Sequence, residues 1–170
     1  GVYVESGGTI TAELTGNVMV TGTGGPGTGL ANQGILVSNP LAAITSGGGD
    51  IEIIAIEGGG PSGIGFVTLN SGTVSTDASG GNISIAANSM MIQSALATSA
   101  ADTFFIKPLD AGLDVQLSIS GDPIGAPLQL TDTELNFITT GTLVIGDSLS
   151  SDVRVLANVT RPAATSVWFT

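Results

Sequence analysis

Aliphatic residues alternate with polar ones in three short phrases, "GNVMVTG" from Gly16, "GDIEIIA" from Gly49 and "GNISIAA" from Gly81. Within each, "VMV", "IEI" and "ISI" repeat with period two, and most of the aliphatics are β-branched. That is the pattern of a half-buried strand. A helix fits poorly, because glycine recurs every few residues and costs about 1 kcal/mol at each helical position.

The phrases recur at steps of 33 and 32 residues. A second column opens each unit: "GVYV" at Gly1, "GILV" at Gly34 and "GFVT" at Gly65. Between the two lies a third, with "GGTIT" ending at Thr11, "LAAIT" at Thr45 and "SGTVS" at Ser75. Two connections, "TGTGGPGTG" and "EGGGPSG", are rich in Gly and Pro. Three columns in constant order describe a chain that turns three corners and starts again.

The expected fold is therefore all-β: a parallel β-helix with about three short strands per coil of roughly 30 residues. One coil cannot bury its own inner face, so stacking must do it. Successive coils would lie about 4.8 Å apart. Val18, Ile51 and Ile83 should then form one inward row, and Val20, Ile53 and Ile85 a second. Val2, Ile35 and Phe66, and separately Ile10, Ile44 and Val74, are further candidate rows. Asn17, Asp50 and Asn82 should stack at one corner, and the glycines should supply positive φ at the bends.

Residues 1–170 form a single segment on this view, with regular coils over 1–101 and less regular ones over 102–170. "DTFFIKP", "LDVQLSIS", "APLQL", "GTLVIG", "DVRVLANV" and "VWFT" still look like strands. In "TDTELNFI", Thr131 and Glu134 have capping-box spacing, while Leu135 and Ile138 can share a helical face. This predicts a short helical turn near 131–138, covering or projecting from the side of the solenoid. An antiparallel sandwich subunit joined by donor strands is the alternative fold. It would not place 16–22, 49–55 and 81–87 in one column.

Composition narrows the function. Lys and Arg total 3 against 14 Asp and Glu, a net charge of −11, so nucleic acid and anionic membrane surfaces are poor partners. No apolar run approaches the roughly 20 residues of a spanning helix. Without Cys, disulfides do not hold the fold, and without His or Cys a Ser-His or Cys-His nucleophile cannot be assembled within this chain. The chain opens Gly-Val-Tyr-Val and is expected to be a mature product or a piece of one.

The segments "GVYVESGGTIT", "GNVMVTGTGG" and "GGNISIAA", with "LTDTELNFITTGTLVIGD" further on, resemble the repeats of large secreted bacterial surface proteins of the filamentous-haemagglutinin and adhesin type. The resemblance implies a right-handed parallel β-helix, exported to the cell surface and serving as an extended stalk, adhesin or fibre. It carries over no catalytic residues. Such proteins run to many hundreds of residues, so the chain is expected to be a segment or repeat unit.

Candidate chemistry weighs the same way. Asp77, Asp102, Asp110, Asp114 and Asp122 are scattered, mostly close to Gly, Pro or Ser, and read as turn residues rather than a glycosidase pair. The cations are Lys107, Arg154 and Arg161. "GGGDIEI" does not complete a calcium nonapeptide, and "TGTGGPGTG" has no Lys-Ser/Thr to make a phosphate loop. Thr21 and Thr23 could belong to an ice-binding face, but Ala55 and Ala87 do not repeat them. Asn82 and Asn158 stand in sequons, Ser and Thr are candidate O-glycan acceptors, and Tyr3 and Trp168 are expected in core or end contacts. The expectation is a non-enzymatic structural segment with no catalytic, cofactor-binding or metal-binding residues. It would associate end to end through open strand edges or continue in a longer solenoid. A glycan-binding lateral face is the alternative function.

Overall fold

The computed structural model of the protein describes residues 1–27, 32–60, 63–119, 127–161 and 165–170. Its first three strands, β1 (Val2–Val4), β2 (Thr9–Ala12) and β3 (Val18–Thr23), enter three different sheets. Next, β4 (Ile35–Ser38), β5 (Ala43–Ser46) and β6 (Ile51–Ile56) enter the same three in the same order. So do β7 (Phe66–Leu69), β8 (Thr73–Thr76) and β9 (Ile83–Ala86), and then β10 (Met90–Ile92), β11 (Leu96–Ala97) and β12 (Thr103–Lys107).

The order then changes. Strands β13 (Val115–Ser118) and β14 (Leu128–Thr131) pair with each other in a fourth sheet, and helix α1 (Asp132–Asn136) follows. Strand β15 (Ile138–Thr139) returns to the second sheet and β16 (Thr142–Ile145) to the third. Strand β17 (Val153–Val155) joins β13, and β18 (Ser166–Phe169) pairs with β16. Among the described residues the result is nearly all-β: four separate sheets of four, five, six and three strands, with every pairing parallel.

The expected rows are present, in register. Val18 pairs with Ile51 and Ile51 with Ile83, and the row runs on through Phe104, Leu143 and Val167. The second row is Val20, Ile53, Ile85, Ile106, Ile145 and Phe169. In the four-stranded sheet Val2, Ile35, Phe66 and Met90 align, and in the five-stranded sheet Ile10, Ile44, Val74, Leu96 and Ile138. From Ile35 to Ile145 these side chains are buried, and they form one hydrophobic cluster. Because strand side chains alternate faces, one aliphatic every second residue is enough to fill this interior.

The polar corner also forms, and its bonding explains its composition. Asn17 Oδ1 accepts the Asp50 N–H (2.9 Å), Asp50 Oδ1 accepts the Asn82 N–H (2.8 Å), and Asn82 Oδ1 accepts the Thr103 N–H (2.9 Å). Each side chain serves the next strand as an acceptor, a task a carboxylate does as well as an amide.

The glycine expectation holds in part: Gly60, Gly80, Gly81, Gly112 and Gly146 have positive φ in the connections between strands, but other corners do not follow it. Positive φ at the corners between the first and second sheets belongs to Ser6, Gly7, Asn39, Leu41, Asn70 and Ser71, only one of them glycine. Gly49 has no positive φ. A β-carbon there would collide with the carbonyl of Gly16, so close approach between backbones excludes a side chain.

Helix α1 falls inside the predicted 131–138 turn. Thr131 is its N-cap and Glu134 closes the capping box. It packs against β10, β14 and β15 with Leu135 fully buried. One Glu134 oxygen accepts the Ile92 N–H of β10 (3.2 Å), while the other accepts the N–H (2.9 Å) and hydroxyl (2.8 Å) of Thr131. The helix therefore ends the four-stranded sheet, since a carboxylate takes the hydrogen bond that a further strand would have taken.

Candidate assembly edges and outer cleft

The six-stranded sheet is bounded by β3 on one side and β18 on the other. Where a row ends, its last side chain is uncovered on one side. Phe169 occupies the row of Ile145 and is 46% exposed, although every partner from Ile53 to Ile145 is fully buried. Its neighbour Trp168, on the outer face, is 61% exposed. Val155 and Leu156, in and just after the edge strand β17, are exposed too. Among the described residues no further strand pairs with these edges, and apolar side chains stand beside them, a surface suited to strand addition.

The outer face of the same sheet carries a cleft of about 460 Å³. In register, Glu52, Ser84 and Phe105 form one outward row, and Ile54, Ala86 and Lys107 the next. Both outward residues of β9 are small, and the strands on either side bear large ones. The cleft follows from that difference in size. Asp50 and Asp147 stand at its rim. Asp147 is fixed, since its Oδ1 accepts the N–H groups of Leu149 (2.9 Å) and Ser150 (3.0 Å).

Among the described residues, the aspartates singled out from sequence are not brought together. Asp77 accepts the Ser79 N–H (2.6 Å) within its own turn, and Asp102 accepts the Ser99 hydroxyl. Asp110 accepts from the Asn88 amide (2.8 Å) and Asp114 pairs with Arg154 (3.3 Å). Asp122 lies outside the described residues, as does part of each Gly-Pro-rich connection. Among the described residues no group of three or more Asp or Glu is placed to hold a metal ion, and no helix is long and apolar enough to cross a membrane. Tyr3 and Trp168 belong to different sheets. The Tyr3 hydroxyl donates to Gln33 Oε1 (3.3 Å). Asn82 is engaged at its corner, whereas Asn158 is exposed.

Two features went unseen in the sequence. Arg161 donates to the carbonyls of Leu135 and Ile138, tying the segment before β18 to the end of α1. Burial lowers its pKa, opposed by the charge of Asp132. Asp132 in turn accepts the Thr160 N–H (2.6 Å) and hydroxyl (2.8 Å). Those bonds, the backbone one first, hold its carboxyl below the usual range, with smaller help from Asn136 and Arg161 against a small burial effect.

No protein-family model, curated protein or solved structure matches this chain.

Proposed function

We propose that the sheets are the faces of one right-handed parallel β-helix, and that this solenoid is a non-catalytic structural segment of a bacterial surface fibre or adhesin stalk outside the cell. Coils would join edge to edge, between copies or within a longer solenoid. The observation that supports this most is the unbroken row from Val20 to Phe169, whose last member is left half-covered at an open strand edge. A second copy offering β3 in parallel to β18 would continue that row and pair the two edge strands. Such a contact is heterologous and does not close, so it propagates into filaments. The capping carboxylate of Glu134 ends the four-stranded sheet, so its β10 edge is not expected to take part in the joint.

The net charge of −11 opposes association, and salt screens it. Sedimentation velocity and electron microscopy across protein concentration, at low and high salt, test the reading. The expected result is elongated, concentration-dependent oligomers favoured by salt and lost in Phe169→Lys, which would place a charge inside the row. A strictly monomeric protein at high concentration and high salt would refute assembly between copies.

A further inference from the structure

The outer cleft of the six-stranded sheet has a chemistry that the stacking role does not use. Its floor is Ser84 on β9, flanked by Asn82, and its walls are Glu52 on β6 and Phe105 and Lys107 on β12. Neighbouring strands lie about 4.8 Å apart, so the walls stand about 10 Å from each other across one strand. The trough is lined from β6, β9, β12 and the end of β16, and its volume of about 460 Å³ lies within the range of small-molecule sites. Phe105 lines the trough and is half-buried although it points outward.

The polar groups are available. Arg154 pairs with Asp114 and Asp152, and Arg161 is committed to backbone carbonyls. Lys107 forms no ion pair among the described residues, and neither does Glu52. An ammonium donor, a carboxylate acceptor and a serine hydroxyl thus face one space beside an aromatic ring.

We propose that this trough binds a neutral oligosaccharide. A pyranose presents an apolar C–H face, which suits the ring of Phe105, and an edge of hydroxyls that both donate and accept, which suits Lys107, Glu52 and Ser84. Charge selects among sugars. Asp50, Glu52 and Asp147 outnumber Lys107, so a polyanionic saccharide is repelled. An added peptide strand is a poorer occupant, because its backbone needs a sheet edge and this is a sheet face. The proposal rests on the register of β6, β9 and β12 and is independent of whether copies assemble.

The test is an amide chemical-shift titration of the protein with cellotetraose, chitotriose and mannotriose, and with trigalacturonate as the anionic contrast. The expected result is saturable binding of at least one neutral probe, with shifts confined to residues 50–52, 82–86, 105–107 and 147. Trigalacturonate should bind at least tenfold more weakly. Phe105→Ala should weaken the neutral probe at least tenfold, and Ser84→Phe, which fills the floor, should abolish its binding. Both positions face outward, and an unchanged spectrum elsewhere verifies that each variant is folded. Absence of binding by all three neutral probes, tighter binding of trigalacturonate, shifts that map elsewhere, or full affinity in Ser84→Phe would each overturn the proposal.

Discussion

Ile53 and Ile54 are adjacent, chemically identical and on opposite faces of β6, so truncating each in turn isolates the effect of the dry interior. Ile53 is fully buried between Val20 and Ile85 in the same row. Ile53→Ala removes three carbons. At about 0.8 kcal/mol per buried methylene, transfer alone costs about 2.4 kcal/mol. A cavity term adds to this, because Val20 and Ile85 are held by strand pairing and cannot collapse inward, so the expected loss is about 3–4 kcal/mol. Ile54 points outward and is half-buried beside Thr21 and Ala86. Solvent fills the space it leaves, and Ile54→Ala should cost about 1 kcal/mol. Urea unfolding followed by far-ultraviolet circular dichroism reads both values. Equal losses at the two positions, or a larger loss at Ile54, would refute the assignment of faces.

Two further predictions concern the helix that ends the four-stranded sheet. Thr131→Ala should cost about 1 kcal/mol by removing the cap, and Glu134→Ala more, about 1–3 kcal/mol, because the Ile92 N–H is left buried without its acceptor; hydrogen exchange at Ile92 should accelerate only in the second variant. The Asp132 pKa is lower folded than unfolded, so its contribution is complete above the ordinary aspartate range and is lost as pH falls through the depressed folded value. Amide protection at Thr160 should therefore fall in strongly acidic solution, and Asp132→Asn should flatten that pH dependence; an identical profile in the variant would contradict the role given to Asp132.

The first three rounds were legible because each repeats glycine, a short polar residue and alternating aliphatics at nearly constant spacing. Register followed from that spacing, and with it the inward rows and the Asn17–Asp50–Asn82 corner. The fourth round escaped notice for a physical reason. The third-to-first-sheet connection shrinks from the long Gly-Pro-rich segments after Thr23 and Ile56 to three residues between Ala86 and Met90, so β10 and β11 arrive early. They also lack the leading glycine. The capping box was visible at Thr131 and Glu134, but the second bond of Glu134, to a backbone 42 residues earlier, was not. The outer cleft was illegible for the same reason. Ser84 looks unremarkable until Glu52 and Phe105 are known to stand on either side of it.

The row Ile53, Ile85, Ile106 and Ile145 offers the most direct test of the stacked interior. Nuclear Overhauser spectroscopy on a sample labelled at isoleucine δ1 methyls should give cross-peaks linking Ile53 to Ile85, Ile85 to Ile106 and Ile106 to Ile145. Ile51 should be linked to Ile83, and the outward Ile54 should show no cross-peak to any of the four. Missing links between consecutive members, or strong cross-peaks from Ile54 into the row, would contradict the account.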